Sequence, residues 1–342
     1  MLKKLLKYSL LIFITYAIIC LATPYSKTLK NRAIKNQIHY LSELIGHGYD
    51  DKLQRQFPEG KLFSNALLAL ATIEYSDKNK IVNQSYAQIV DYCIIRMLSE
   101  KAKSIFSPDL TPSYGMFYNG WTNYVLQSYS KSRLFDLSKI QEQVKENSEI
   151  IEQRLVSTQS DSLRILETYT EANWSADNLI GIISLQDDSL RKQWIDKVLE
   201  TARHPSGLIH HAGSDPGLIR GSSSAMITFC LSEIAYSDMD NYSQNYSDIF
   251  IDDYLGLLLV KENEDGSSQM DVDSGPVVFG YGASATVMNI KTQASRGNPK
   301  AKSTFAAMNL LGLPIHLFNK KYYLLKKEPM YDLFMLWGSV EL

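Results

Sequence analysis

The chain has 342 residues, of which 45% are hydrophobic and 21% are charged, and its formal net charge is -2. This balance argues against a nucleic-acid-binding protein, which needs a basic excess on one face. The three scattered cysteines exclude a disulfide framework and CxxC-type zinc sites. The length is sufficient to bury one large core or two small ones.

The N-terminal segment combines a cationic start with an apolar run. Three lysines precede an uncharged, mostly apolar stretch from Tyr8 to Ala22. A cleaved signal peptide needs small residues before its cut site, and the sequence around Cys20 provides only a poor one. We therefore predict that residues 1–22 form an uncleaved, single-pass membrane anchor of a bacterial protein, with the body on the periplasmic or extracellular side. A cleaved signal is the alternative.

Helical spacing of apolar residues dominates the rest of the chain. The periodicity predicts helices over 26–45, 61–76, 79–103, 118–131, 136–157, 174–186, 188–203, 221–236, 240–253, 280–294, 299–311 and 329–338. A short extended stretch at 313–325 precedes the last helix, and no segment shows the alternation of a long set of strands. The sequence therefore predicts an all-α protein.

The predicted helices alternate between apolar and charged. The apolar helices begin near residues 61, 118, 174, 221, 280 and 329, a spacing that fits one helical hairpin each. A helix that is apolar on all sides must be buried, and helix 26–45 can pair with helix 329–338 to complete a sixth hairpin. We therefore predict that residues 26–342 form a single (α/α)6 toroid domain. An irregular α-solenoid is the alternative.

The segments that lead into the apolar helices carry unusual polar and aromatic residues. In a toroid these helices start at one end of the barrel, so the side chains would converge on one mouth, where helix N-termini offer free N–H groups. Helix capping is the alternative explanation for about half of them. The predicted substrate-binding residues are Tyr114, Tyr118, Trp121, Asn173, Trp174, His210 and Arg220.

Three carboxylates are the candidate catalytic groups. Asp271 and Asp273 lie two residues apart before a Gly-Pro turn, and carboxylates so close shift each other's proton affinity. With Glu171 across the mouth, they could supply the acid and the base that cleave a glycosidic bond. A helix cap at Asp273, with Asp271 solvated, is the alternative, and a calcium loop that includes Asp265 is a third interpretation.

The remaining motifs favour neither a metal nor a cofactor. Adjacent histidines such as His210 and His211 rarely converge on one zinc ion, so a proton-shuttle role for one of them is favoured. Arg220 could hold a carboxylate or phosphate at the following helix N-terminus, or pair with a loop acid. The sequence has no GxGxxG after a strand, no Walker A loop and no GxSxG elbow. We therefore expect no cofactor.

Two segments carry a resemblance to a known enzyme family. Residues 171–174 (Glu-Ala-Asn-Trp) are similar to the acidic start of an inner helix in bacterial linalool dehydratase/isomerase, and residues 118–121 (Tyr-Asn-Gly-Trp) resemble its aromatic, glycine-containing inner helix. The (α/α)6 toroid class also contains six-hairpin glycosidases and polysaccharide lyases. The linalool enzyme uses pocket cysteines, whereas Cys93 and Cys230 lie mid-helix here. The resemblance implies a toroid with hydrolase or lyase chemistry.

Two main classes of function stay open. We expect a membrane-anchored, exported enzyme that applies carboxylate acid/base chemistry to a carbohydrate or related polar small molecule, as a glycoside hydrolase or lyase does. The alternative is a non-catalytic toroid that binds a glycan or a protein partner through the same mouth. A lyase or isomerase of the linalool type is a third possibility. Opposed acidic residues would favour the enzyme, an all-aromatic mouth would favour binding, and a closed apolar pocket would favour the third possibility.

Overall fold

The computed structural model describes residues 2–159, 164–271, 274–324 and 329–342, and these are predominantly helical. The helices, in chain order, are α1 (Leu2–Ala22), α2 (Lys27–Gly46), α3 (Tyr49–Gln56), α4 (Gly60–Asn79), α5 (Gln84–Met97), α6 (Glu100–Lys103), α7 (Gly115–Ser130), α8 (Gln141–Gln159), α9 (Ser175–Ser184), α10 (Asp188–Thr201), α11 (Gly221–Glu233), α12 (Met239–Phe250), α13 (Ala283–Ser295), α14 (Lys300–Leu311) and α15 (Pro329–Glu341).

The described strands form three small antiparallel hairpins. These are β1 (Ile251–Tyr254) with β2 (Leu257–Val260), β3 (Val277–Val278) with β4 (Tyr281–Gly282), and β5 (Pro314–Leu317) with β6 (Lys320–Tyr323). They correct the prediction of an all-α chain, although none of them builds a larger sheet with another.

Six of the helices contact one another in a closed order. Helix α4 packs against α7, α7 against α9, α9 against α11, α11 against α13, α13 against α15, and α15 packs back against α4. A second helix contacts each of them: α5 on α4, α8 on α7, α10 on α9, α12 on α11, α14 on α13, and α2 on α15. The contact between α2 and α15 is the pairing predicted for helices 26–45 and 329–338. We call α4, α7, α9, α11, α13 and α15 the ring helices.

The composition of the ring helices explains why they are the buried set. Almost every residue of α4 from Gly60 to Ser76 is buried, which requires an apolar residue or a paired polar one on all sides. Close approach also demands small residues. A Cβ added to Gly120 of α7 would lie 2.8 Å from the backbone nitrogen of Gly181 in α9. The two helices therefore touch backbone to backbone, and glycine is required there.

Several predicted boundaries are corrected. The helix predicted over 79–103 starts later and is interrupted. Helix α4 extends to Asn79 and ends at the left-handed Lys80 (φ 54°), α5 begins only at Gln84, and residues 98 and 99 separate α5 from α6. The helix predicted over 240–253 ends at Phe250, where the chain extends into β1. The described part of the extended stretch 313–325 folds as the β5–β6 hairpin.

Helix α1 is the one helix in the described ranges with the length and composition of a membrane span. The span Leu6–Tyr25 has a mean hydropathy of 1.9, and only 11% of its most apolar window is buried. Its C-terminal part nevertheless packs on α14. The Tyr16 hydroxyl donates to the Pro314 carbonyl at 3.2 Å, and the Asn309 amide donates to the Cys20 carbonyl at 3.1 Å. A signal sequence shares these properties, so the retention of α1 and the side of the membrane stay predictions.

Candidate functional site

A cavity of about 440 Å³ lies where the six ring helices begin. Its volume is within the usual range for small-molecule sites. Every ring helix contributes residues from its first turns or from the loop just before it. Representative wall residues are Glu59 and Phe63 for α4, Phe117 and Trp121 for α7, Trp174 and Asp177 for α9, Ser222 and Ser223 for α11, Ala283 and Ser284 for α13, and Tyr331 and Phe334 for α15.

Three adjacent ring helices, α15, α4 and α7, give the cavity an aromatic wall. The ring of Phe63 lies 4.8 Å from that of Trp121 and 5.5 Å from those of Phe117 and Phe334, measured between centroids. We call these four side chains the aromatic arc. Flat aromatic faces of this kind stack on apolar faces of a ligand, including the C–H faces of sugar rings.

The neighbouring helices α9 and α11, with the loop between them, supply most of the polar wall. We call these side chains the polar arc, and they are Asp177, His211, Arg220, Ser222 and Ser223. Helix α11 begins at Gly221, so both serines lie in its first turn, where backbone N–H groups are still unpaired within the helix. The polar arc therefore joins titratable side chains to a helix N-terminus.

His211 is the titratable base of the polar arc. Its Nδ1 atom lies 2.6 Å from the Ser223 hydroxyl, and its ring lies 6.4 Å from that of Trp174. Burial lowers the pKa of His211 to about 4, and the nearby positive charge of Arg220 adds to this effect. The imidazole is therefore neutral near pH 7 and able to accept a proton.

Arg220 is held by two acids. Its Nε atom donates to Glu262 at 3.0 Å, and its two terminal nitrogens donate to Asp271 at 2.6 and 3.0 Å. Ser222 donates to the same oxygen of Glu262 at 2.7 Å. Glu262 is fully buried, and this burial raises its pKa while Arg220 opposes the rise. Arg220 thus pairs with acids, which was the alternative to a ligand-binding role.

Two carboxylates line the cavity directly. Glu59, just before α4, accepts a hydrogen bond from the Tyr169 hydroxyl. The Tyr169 ring in turn packs edge-on against Trp174 at 5.0 Å. Asp177 lies in the first turn of α9, three residues after Trp174, so the two side chains share one side of the helix. Acidic groups are therefore present on both the α4 and the α9 sides of the cavity.

The structure brings three of the predicted site residues together in the wall of the cavity: Trp121, Trp174 and Arg220. Asp271 is not part of the wall, but it contacts the site through its ion pair with Arg220. Asp273 lies outside the described residues.

Tyr114 and Tyr118 are absent from the wall because of the phase of α7. The helix begins at Gly115, so Phe117 and Trp121 share the side that faces the cavity while Tyr118 lies on the next side. Tyr118 is buried beside Phe106, with ring centroids 5.7 Å apart. Tyr114 lies under the ammonium group of Lys103, 4.1 Å from its ring centroid.

Glu171, Asn173 and His210 also lie outside the wall. Glu171 is exposed in a tight turn, with a φ of 63°. Asn173 packs against Gly213, and its side-chain oxygen is buried with no hydrogen-bond partner among the described residues. His210 is buried, and its neighbour His211 takes the place in the cavity that was predicted for it.

Sequence reasoning did not select four of the groups that complete the site: Glu59, Asp177, Ser222 and Ser223. His211 was considered, with His210, as a proton shuttle. All of them lie in or next to the segments that lead into the ring helices. The spacing of three between Trp174 and Asp177 was a usable signal, because it places both side chains on one side of a helix. Within the described residues, no group of three histidine, cysteine, aspartate or glutamate side chains is arranged to hold a metal ion.

A scan against protein-family models finds no match to this chain, and a search of curated proteins also finds none. The function is therefore inferred from the cavity itself.

Proposed function

We propose that the chain is a membrane-anchored, exported (α/α)6 toroid enzyme that applies acid/base chemistry to a carbohydrate or related polar substrate. The closed order of six ring helices, each with its own second helix, supports the toroid architecture. The apolar, exposed α1 supports the anchor.

One observation carries the enzymatic part of the proposal. Proton-transfer groups and aromatic faces line the same cavity, with Glu59 and Asp177 on different ring helices and a neutral His211 beside Asp177's helix. A non-catalytic binding site uses aromatic faces and can use carboxylates to hold hydroxyl groups. The combination of carboxylates on two sides with a neutral base goes beyond that need and favours an enzyme. These are the groups that acid/base catalysis requires.

The roles follow from the chemistry of glycosidic cleavage. One carboxylic acid donates a proton to the leaving oxygen, and a second carboxylate accepts a proton from water or stabilises the positive sugar ring. Asp177 and Glu59 are the pair proposed for these roles in place of Glu171 and Asp271. In a lyase reaction, His211 would accept the proton that is removed from the substrate carbon.

A second candidate is a lyase or isomerase of the linalool type. It is favoured by the apolar share of the wall, where Phe63, Phe117 and Phe334 are joined by Met226 and Met288. Such a wall suits a hydrocarbon chain at least as well as it suits a sugar. One carboxylic acid would then protonate the hydroxyl of an allylic alcohol, which leaves as water, and the other carboxylate would remove a proton from the adjacent carbon.

The test compares Asp177→Asn and Glu59→Gln with Glu171→Gln, a matched removal of one carboxylate at an exposed position. Each protein is assayed against aryl glycosides, uronic-acid oligosaccharides and allylic alcohols, with detection of the released aryl group, the unsaturated uronide and the dehydrated product. We expect both cavity variants to lose at least about 100-fold in turnover and the control to keep it. Equal turnover in all three variants would overturn the assignment. Saturable binding without turnover in the wild type would favour the non-catalytic alternative.

A further inference from the structure

Helix α1 leaves the body at the end of the ring that holds the cavity. Tyr16 contacts Pro314, just beyond the C-terminus of α14, whereas Cys20, one turn later in α1, contacts Asn309 within α14. The two helices are therefore antiparallel. Residues 2–15 of α1 extend past the C-terminal end of α14.

That end of α14 is the end at which the ring helices begin. Helices α13 and α14 pack together and are joined by the short loop 296–299, so they run in opposite directions. The C-terminus of α14 thus lies beside the start of α13, where Ala283 and Ser284 line the cavity. The anchor and the cavity share one end of the body, which we call the cavity end.

The exposed, apolar part of α1 begins directly at the cavity end. Leu10, Leu11 and Phe13 are each 58–59% exposed, and the following part of the helix packs on α14. Insertion of α1 into a bilayer would therefore bring the cavity end of the body to the membrane surface.

The cavity end exposes apolar side chains that fit such a contact. Val278, the last residue of β3, and Phe279, the first of the β3–β4 turn, are 58% and 91% exposed. Leu317, the last residue of β5, and Phe318, the first of the β5–β6 turn, are 52% and 85% exposed. Protruding apolar residues around an anchor are typical of insertion into a lipid interface.

The cavity also reaches the surface at this end. Two residues of its wall, Gln56 and Pro276, are exposed. Pro276 lies two residues before Val278, so one edge of the opening adjoins the exposed apolar β3–β4 turn. A molecule in the outer part of a bilayer in contact with that turn would lie next to the opening.

We propose that the cavity faces the bilayer and that its substrate is a lipid with a saccharide head group. The head group would reach Asp177 and His211, and the lipid chain would lie along the aromatic arc. The substrate class rests on the proposed carbohydrate chemistry, whereas the placement of the cavity end at the membrane is independent of it.

The placement is tested with the full chain in phospholipid vesicles. Nitroxide labels are attached at Phe279→Cys and Phe318→Cys, with Val82→Cys as the control. Val82 is 59% exposed in the loop after α4, at the opposite end of the ring, and the native Cys20, Cys93 and Cys230 are buried. We expect labels 279 and 318 to collide with oxygen more than with a nickel chelate, and label 82 to show the reverse. Labels 279 and 318 that behave like label 82 would overturn the placement.

The ligand class is tested by binding, so that the result does not depend on turnover. Trp121 and Trp174 line the cavity, and their fluorescence reports occupancy by n-alkyl glucosides from methyl to octyl, below their micelle concentrations. Each added methylene should lower Kd about fourfold until the aromatic arc is covered. Equal affinity for methyl and octyl glucosides would overturn the lipid-linked substrate and leave the proposed function standing. Chain-length-dependent binding without turnover would support the ligand class and overturn the proposed reaction.

Discussion

The two arcs of the cavity are built on different physical principles. In the aromatic arc, Phe63, Phe117, Trp121 and Phe334 hold one another by ring contacts from three different helices. In the polar arc, side chains depend on particular polar partners, as His211 does on Ser223 and Arg220 on Glu262 and Asp271. When one ring contact is lost in the aromatic arc, the other rings still pack against one another. When one partner is lost in the polar arc, a buried polar group is left unpaired.

The aromatic arc therefore sets the shape of the cavity, whereas the polar arc supplies its reactive groups. Dispersion contacts have no preferred partner, so the aromatic arc can accept varied ligand surfaces. Buried charges and hydrogen bonds require fixed geometry, which is what proton transfer also requires. The following four predictions test whether the arcs differ in this way, beginning with the largest effect.

Removal of Arg220 should give the largest loss. In Arg220→Met, the buried Glu262 carboxylate keeps Ser222 but loses its cationic partner, and breaking a buried pair in this way costs about 3–5 kcal/mol. The free energy of unfolding is measured by urea titration in detergent solution. The difference in unfolding free energy between the wild type and Arg220→Met should be smaller at lower pH, because a protonated Glu262 no longer carries a buried charge.

Two further proteins make the Arg220 result specific. The double variant Arg220→Met/Glu262→Met should recover much of the lost stability, because no buried charge is left unpaired; Asp271, which also loses Arg220, is half exposed. Arg296→Met breaks an ion pair with the fully exposed Asp240 and should cost less than about 1 kcal/mol. A similar cost for Arg220→Met and Arg296→Met would show that the polar arc does not depend on this pair.

The second prediction concerns the pH dependence of stability. Burial lowers the pKa of His211 from 6.5 to about 4 in the folded chain. Between these values the unfolded chain binds a proton that the folded chain does not, so stability falls as the pH drops through this window. The full contribution is about 3 kcal/mol. His211→Asn keeps an atom at the Nδ1 position and should flatten this part of the pH profile.

The control for His211 is His39→Asn, since His39 is an exposed histidine of α2 with a side-chain exposure of 53%. The fall in stability between pH 6.5 and 4 that is attributed to His211 should remain in this variant, because His211 is retained. A His211→Asn profile as steep as that of the wild type would mean that His211 is protonated in the folded chain, which would also remove it as a neutral base.

The third prediction addresses the boundary between the arcs. Helix α7 of the aromatic arc meets α9 of the polar arc through Gly120, and an added Cβ would lie 2.8 Å from the Gly181 backbone. Gly120→Ala should therefore destabilise the chain by about 1–3 kcal/mol through overpacking. Gly46→Ala, in a position with no atom within 4 Å of the new Cβ, should cause no loss. Equal stabilities would show that α7 and α9 can move apart freely.

The helices of the ring were predictable because all-round apolarity leaves burial as the only solution. The second helices that pack on the ring helices were predictable because their apolar residues lie on one side of the helix. The hairpin β1–β2 was not, because residues 240–253, which include most of β1, also satisfy a helical period although the helix ends at Phe250. The late start of α5 follows the left-handed Lys80, a conformation for which lysine gives no local signal.

The location of the site was easier to predict than its members. All ring helices present their first turns to the cavity, so the segments just before them were informative. Which side chains face inward depends on the residue at which each helix begins. An α-helix turns by about 100° per residue, so an error of one residue exchanges Phe117 for Tyr118. The same holds for His210 and His211, where backbone pairing of the loop decides which ring enters the cavity.

The smallest expected effect comes from Ser223, and it identifies the tautomer of His211. Ser223 is 8% exposed, and within the described residues its hydroxyl has the His211 Nδ1 atom as its hydrogen-bond partner. The proposed base role of His211 requires a ring nitrogen with a free lone pair, so its Nδ1–H should donate to the Ser223 hydroxyl oxygen and leave Nε2 as the proton acceptor of the polar arc. Ser223→Ala then costs about 0.5–1.5 kcal/mol and loosens this preference. The nitrogen chemical shifts of the labelled imidazole measure the populations of the two tautomers directly. The control is Ser222→Ala, which breaks a hydrogen bond to Glu262 instead. A wild-type His211 that carries its proton on Nε2 would reverse the direction of the hydrogen bond. Neither ring nitrogen would then be free to accept a proton, and His211 would be removed as the base.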